Sequence, residues 1–295
     1  MPRRTRAVCA AGILILALAI PRHASAAPAV TGPHRWEVTV AVRVVPAENG
    51  KSVTLRLAAP ADGPRQRLLD VELAARGLKP TVERDGEQPH VLFKGKPKGA
   101  RRIAATYRVE CQPQASPVPP VLPLDTLRPE LVPFLSPAPM FQSRSILVRD
   151  FLETYAGPLL ARGDTDPMRA IFEVTRRALA RDRKGRSLAL DVIRRRQGKR
   201  IGIERAFTTF LRCARIPARL VEGVDLASKT RRKRVFWTEV WAQDQWWPVS
   251  ASRGWIGQLP ASYLALARDG TRVLHVDGPA TASYTVQTRR LPDDF

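Results

Sequence analysis

The chain has little of the chemistry on which thiol and metal enzymes depend: three cysteines and four histidines in 295 residues. Cys9, Cys111 and Cys213 lie far apart, and no Cys/His spacing matches a zinc site, so neither a metal nor another cofactor is expected. Acidic side chains are also scarce, 27 against 49 lysines and arginines, for a formal net charge of +22. Such an excess attracts anions: a polyanion, an acidic peptide or an anionic surface. It has a compositional explanation too, since arginine greatly outnumbers lysine. Nucleic acid is not an expected partner, because no recognised binding motif is present.

Long apolar runs are missing as well. The longest, from Ala7 to Ile20, is short for a membrane span and is followed at once by Pro21 and Arg22. Arg3, Arg4 and Arg6 precede it, and Ala24-Ser25-Ala26 closes it with small residues, the pattern of a cleaved export signal over residues 1–26. That segment holds four arginines and no acid, so +18 remains without it. The expected location is periplasmic or secreted, with no integral span after cleavage. Cys111 and Cys213 then remain. They fall in different predicted domains, so two buried thiols are expected rather than a disulfide.

The remaining length suits one large domain or two smaller ones. Residues 31–112 read as antiparallel β. Trp36, Val38, Val40, Val42 and Val44 alternate with polar or small residues, and Val53 to Leu57 and Ile103 to Cys111 repeat the pattern. Asp62-Gly63-Pro64, Asp85-Gly86 and the Lys94 to Gly99 segment supply turns. A small β-sandwich is the expected outcome, with Cys111 on an inward face. Residues 113–139 are rich in proline, which removes a donor and fixes φ, so they predict an extended connection. Leu122, Leu124, Leu131, Val132 and Phe134 give it something to bury.

From Ser143 the pattern turns helical. Asp166-Pro167 is a good cap and first-turn proline, ahead of an apolar face of Met168, Ile171, Phe172, Thr175 and Leu179. Ser187 is a candidate cap for a second helix ending at Arg194-Arg195-Arg196. A third helix is expected over residues 202–214, followed by strands at 218–225, 235–242, 246–250, 272–276 and 283–289. The fold class is α+β, with helices against an antiparallel sheet, and the second domain is placed at 140–295.

Two motifs stand out. The first runs from Gly198-Lys-Arg-Ile-Gly to Arg212-Cys-Ala-Arg-Ile-Pro-Ala-Arg219, and the second is Val235-Phe-Trp-Thr-Glu-Val followed by Trp246-Trp-Pro-Val-Ser250. Together they resemble the transglutaminase-like (papain-related) superfamily, in which Gly-x-Cys opens a helix ending in an Arg-x-x-Gly-Ile-Pro-Ala-Arg turn. The following strands there read His-Ala-Trp-x-Glu-Val and Trp-x-Pro-x-Asp. Laid over that pattern without a gap, Gly198, Arg212, Arg219, Trp237, Glu239, Trp246 and Pro248 match. The nucleophile, base and orienting positions hold Arg200, Val235 and Ser250.

The resemblance therefore implies the scaffold and not its chemistry. Thiol catalysis needs a thiolate, an imidazole and a group that orients it. A guanidinium stays protonated, and valine cannot move a proton. Cys213 sits near a helix C-terminus, where the dipole opposes a thiolate. The version of the family most like this chain is the group of inactive transglutaminases, some fused to membrane helices that are not seen here.

Three functions remain in view. One is an exported pseudoenzyme that binds a peptide or other anion through the relict cleft, with Arg200 as the fork and Lys199, Ser250 or Trp237 beside it. Another is a scaffold that docks a partner protein or anionic surface. The third is an active transglutaminase-like peptidase or acyltransferase whose nucleophile lies elsewhere. Arg200 also has plainer readings, exposure to solvent or a pair with Glu204 one turn along. Likewise the basic run from Ser228 to Arg234 reads as a solvated loop.

Overall fold

The computed structural model describes residues 32–84, 88–121, 123, 128–163, 165–230 and 234–292. The export-signal expectation lies outside these residues. Six strands come first: β1 His34–Pro46, β2 Val53–Ala58, β3 Gln66–Ala75, β4 Lys79–Glu83, β5 His90–Gly95 and β6 Arg101–Cys111. The short β7, Gln114–Ala115, and a 3-10 turn at Pro129–Phe134 lie in the connection. Helices follow: α1 Ile146–Tyr155, α2 Gly157–Leu160, α3 Pro167–Ala178, α4 Ala189–Arg195 and α5 Arg200–Cys213. The short strands β8 (Ala180–Arg181) and β9 (Gln197–Gly198) flank α4. The rest is strand: β10 Ala218–Asp225, β11 Arg234–Ala242, β12 Gln245–Ser250, β13 Trp255–Ile256, β14 Gln258–Leu259, β15 Tyr263–Arg268, β16 Leu274–Asp277 and β17 Ala280–Arg290.

The first layer pair is a sandwich of two four-stranded sheets, ordered β17-β1-β6-β3 and β16-β2-β5-β4. Alternation drives it: Val38, Val40, Val42 and Val44 of β1 are buried with Leu55, Leu57, Phe93, Tyr107 and Cys111. Each such valine removed from water is worth roughly 1.5–2 kcal/mol. The last two strands belong to this sandwich by pairing, β17 along all of β1 and β16 on β2. Both lie within residues 140–295, the stretch that the sequence assigns to the second domain. Strand register over such a separation rests on cross-strand partners that local pattern does not reveal.

The second unit packs helices on the antiparallel sheet β13-β12-β11-β10-β15. Phe207, Phe210 and Leu211 of α5 are buried with Val240, Trp247 and Val249 of the sheet and with Ile171 and Phe172 of α3. The α3 start is as read, with the Asp166 carboxylate accepting from Arg169 N at 3.0 Å. Ser187 is not the cap of α4: Leu188 holds that place without a side-chain bond. In the connection Leu131 and Phe134 are buried, joined by Val118 and Val121, while Val132 is exposed. Leu122 and Leu124 lie outside the described residues.

Two features fix the motif locally. A Cβ on Gly198 would lie 2.4 Å from Val192 Cγ2 and 2.9 Å from Arg186 O, so only glycine lets β9 pass α4 this closely. After α5, Arg215 takes φ 59°, where the family pattern has glycine, and Ile216 N returns to Leu211 O at 2.9 Å. Arg212 then closes the turn. Its Nε donates to Ala218 O at 3.0 Å, its Nη1 to Ser136 O at 3.1 Å and its Nη2 to Asp269, over the Phe141 ring.

The edge of the sheet is also closed. Gln66 from the sandwich receives Ala265 N on Oε1 at 2.9 Å and gives Nε2 to Ala265 O at 3.2 Å, acting as one residue of a further strand. Gln88 donates to Leu266 O at 2.8 Å alongside it.

Candidate functional site

Arg200 is the first residue of α5, after Lys199 at the cap position, whose side chain makes no capping bond. Lys199 is exposed and Arg200 half-buried. β8 pairs with β9 so that Arg181 sits opposite Gly198, which brings Arg181 to the same end of the helix. Arg253 arrives from the turn after β12, its guanidinium 5.1 Å from the Trp255 ring and 5.4 Å from that of Tyr263.

Burial lowers the Arg200 pKa first, and the neighbouring charges of Arg253, Arg181 and Arg183 lower it further. Arg200 Nε is buried and has no hydrogen-bond partner among the described residues. The N-terminus of α5 is therefore a cluster of cations, where the helix dipole adds to the positive potential.

Glu204, a residue the sequence reading treated only as a partner for Arg200, is the centre of a different network. It is fully buried. Its Oε1 accepts from Ser250 Oγ at 2.6 Å and from Ser252 N at 3.0 Å, and its Oε2 accepts from Thr238 Oγ1 at 3.2 Å. Thr208 Oγ1 lies 3.0 Å from Thr238 Oγ1 and extends the chain. Burial pushes the Glu204 pKa up, and these donors offset part of that rise. Ser250 thus gives its hydroxyl to an internal carboxylate rather than to the Arg200 cluster. No sequence signal marked Glu204, because an acid in an arginine-rich helix reads as surface.

Val235, set by the resemblance at the base position, is buried in an apolar cluster with Val221, Trp237, Leu259, Tyr263 and Ala265. Trp237 is buried too, with Nε1 donating to Glu239 Oε1 at 3.4 Å. Glu239 pairs with Arg219 Nε at 2.8 Å, and the Arg219 guanidinium stacks 4.1 Å from the Trp246 ring.

The remaining thiols and imidazoles lie elsewhere. Cys111 and Cys213 are free. Burial pushes the Cys111 thiol up to about 12 and raises that of Cys213 as well. The described histidines, His34, His90 and His275, all sit on sandwich strands β1, β5 and β16. Among the described residues no three His, Cys, Asp or Glu side chains cluster as metal ligands. No helix among them is long and apolar enough to cross a membrane.

Residues 155–251 match the model of the transglutaminase-like superfamily, so the α3–β12 region carries the core that the two motifs resemble. No curated protein matches the chain. Among solved structures, a Cytophaga hutchinsonii protein proposed to be a cysteine protease superposes with a TM-score of 0.67 at 17% identity, covering 90% of this chain and 93% of that one. That likeness establishes the fold, sandwich included. The periplasmic domain of TgpA from Pseudomonas aeruginosa is 15% identical over 72% of this chain and 87% of its own, with a TM-score of 0.35.

Proposed function

We propose that this is an exported, catalytically inactive transglutaminase-like protein that binds an anionic ligand, such as the carboxylate of a peptide, where the family holds its nucleophile. One observation supports the reading: Arg200, which the motif resemblance sets at the nucleophile position, opens α5 half-buried, with Arg253, Arg181 and Arg183 as charged neighbours. Like charges gathered this closely repel, and an oxyanion seated among them reverses the sign of the interaction. The Arg200 Nε that lacks a partner is a donor such a ligand would use.

The absence of catalysis follows from side-chain chemistry. Val235 moves no proton, and the Ser250 hydroxyl is committed to Glu204. Export is supported by the basic, then apolar, then small-residue pattern of residues 1–26.

Thermal-shift binding with free amino acids, short acidic peptides and cell-wall peptide fragments tests the reading, with Arg200→Ala beside the unaltered protein. A ligand-dependent rise in Tm that Arg200→Ala abolishes supports it. A rise of the same size in Arg200→Ala, or none with any ligand, refutes it. The scaffold reading would then lead.

A further inference from the structure

A separate cavity of about 550 Å³ lies where the sandwich meets the sheet, between the Ala61–Gln66 loop, Pro113-Gln114 and the strands β11, β12 and β15. Along β11, Thr238 and Val240 pack toward α5, so Trp237, Glu239 and Trp241 point the other way, into this space. The cavity is therefore lined from the sheet face opposite α5. Trp237 is the only wall it has in common with the candidate residues of the Arg200 site.

Its walls combine two chemistries. Trp241 and Trp246 meet edge to face, ring centroids 5.2 Å apart, and present flat apolar surface. Beside them stand Arg65, Arg219 and Arg268, with Glu239 as the acid among them. Glu239 is held by Arg219 at 2.8 Å and by Arg268 at 3.9 Å. Arg65 is different: its guanidinium donates to the carbonyls of Tyr263 at 3.2 Å and Gln112 at 3.5 Å. Neither is a charged acceptor.

A guanidinium that is costly to bury and hydrogen-bonded only to neutral carbonyls is a poor structural choice and a good receptor. Burial lowers its pKa to about 10, although the charge of Glu239 opposes that fall. Asp62 and Asp244 also line the cavity. Asp62 accepts Leu68 N at 2.6 Å, and Asp244 pairs with Arg128 at 2.6 Å. These two carboxylates thus have partners other than Arg65, and Glu239 is one acid shared among Arg65, Arg219 and Arg268.

We infer that this cavity is a ligand site for a small carboxylate with a flat or aromatic body, its carboxylate on Arg65 and its ring against Trp241 and Trp246. The guanidinium fork matches a carboxylate in two parallel bonds, and a tryptophan face takes a planar group. An aromatic or amide-bearing chain end has both parts.

The cavity supplies its own reporter, since tryptophans form its wall. Titration of the full protein with N-benzoylglycine, followed by tryptophan fluorescence and by calorimetry, is expected to saturate in the millimolar range or below. The neutral N-benzoylglycinamide and inorganic phosphate each lack one half of the ligand and should bind at least tenfold more weakly. Arg65→Gln should weaken N-benzoylglycine binding about tenfold or more, as expected for a lost charged hydrogen bond, while Arg200→Ala leaves it unchanged.

Equal binding of the amide or of phosphate would overturn the inference, as would no saturation with N-benzoylglycine. Loss of binding in Arg200→Ala would assign the ligand to the other site and overturn it too. If Arg65→Gln does not fold, Trp241→Ala takes its place. Trp241 is half-exposed, and its removal must weaken N-benzoylglycine without altering phosphate.

Discussion

The Ser250 hydroxyl donates a 2.6 Å hydrogen bond to Glu204 Oε1 in the middle of the core, between the central helix and the end of β12. This contact joins the helix that would carry a nucleophile to the residue that would orient a base. Ser250, which the motif resemblance sets opposite an aspartate, thus serves to satisfy a buried acid. A buried carboxylate that accepts three hydrogen bonds ties a helix to a sheet more specifically than apolar packing does.

Removing that donor has a size. Ser250→Ala leaves the buried Glu204 carboxyl one hydrogen bond short, which costs about 1–3 kcal/mol for an unsatisfied buried polar group. Chemical denaturation of the two proteins at neutral pH measures it. A difference below about 0.5 kcal/mol would mean that Glu204 is already satisfied without Ser250.

Glu204 also predicts a pH dependence. Burial holds its folded pKa above that of the unfolded chain. Its contribution is therefore fully present below the unfolded pKa and is lost as pH rises through the folded one. Glu204→Gln cannot ionise, so its stability relative to the unaltered protein should improve as pH rises from about 4 to 8. Stability curves across that range decide the matter, and a stability of Glu204→Gln relative to the unaltered protein that stays constant or falls as pH rises would refute the assignment.

Much of this scaffold could be read from residue pattern, and the reasons differ by element. β1 and β6 alternate cleanly because one face meets the core, and α3 has both its cap and its apolar stripe. β4 is exposed nearly throughout and β3 has few buried positions, so neither carries the period-2 signal. β15 is apolar at almost every residue, being buried on both faces, and so shows no alternation. At the site, Arg200 and Val235 stood out because the motif gave each a place. Glu204 and Arg65 had no motif, and their roles come from partners 46 and 198 residues away along the chain.

The Arg219–Glu239 pair should behave in the opposite sense to Glu204. Burial alone would raise the Glu239 pKa, but Arg219, Arg268 and Arg65 outweigh it and hold the group low. Stability from this group is present above the unfolded pKa and lost as pH falls through the folded one. Arg219→Ala should cost about 3–5 kcal/mol near neutrality, as for a broken buried pair, and the deficit should shrink in acid. Denaturation at pH 7 and pH 4 tests this, and a deficit that grows in acid would contradict it.

Gly198 gives a steric prediction. A methyl group there meets both Val192 Cγ2 at 2.4 Å and the backbone oxygen of Arg186 at 2.9 Å, and the latter cannot rotate away. Gly198→Ala should destabilise by about 1–3 kcal/mol, as overpacking does. Gly198→Ala combined with Val192→Ala should recover only part of it, because Arg186 O remains. Full recovery in the double variant would place the whole conflict on the valine.

The two thiols bear directly on catalysis. Cys111 is buried in the sandwich with its pKa pushed up to about 12, and Cys213 is half-buried near the end of α5 with its pKa also raised. A thiolate is the reactive form, so both should be slower than a free cysteine toward a disulfide reagent at pH 7. Cys111 should react only on unfolding, whereas Cys213 should react slowly in the native protein and faster as pH rises. The measurement is a thiol-labelling time course with and without denaturant. A native thiol labelled faster than glutathione at neutral pH would reveal an activated nucleophile and overturn the inactive reading.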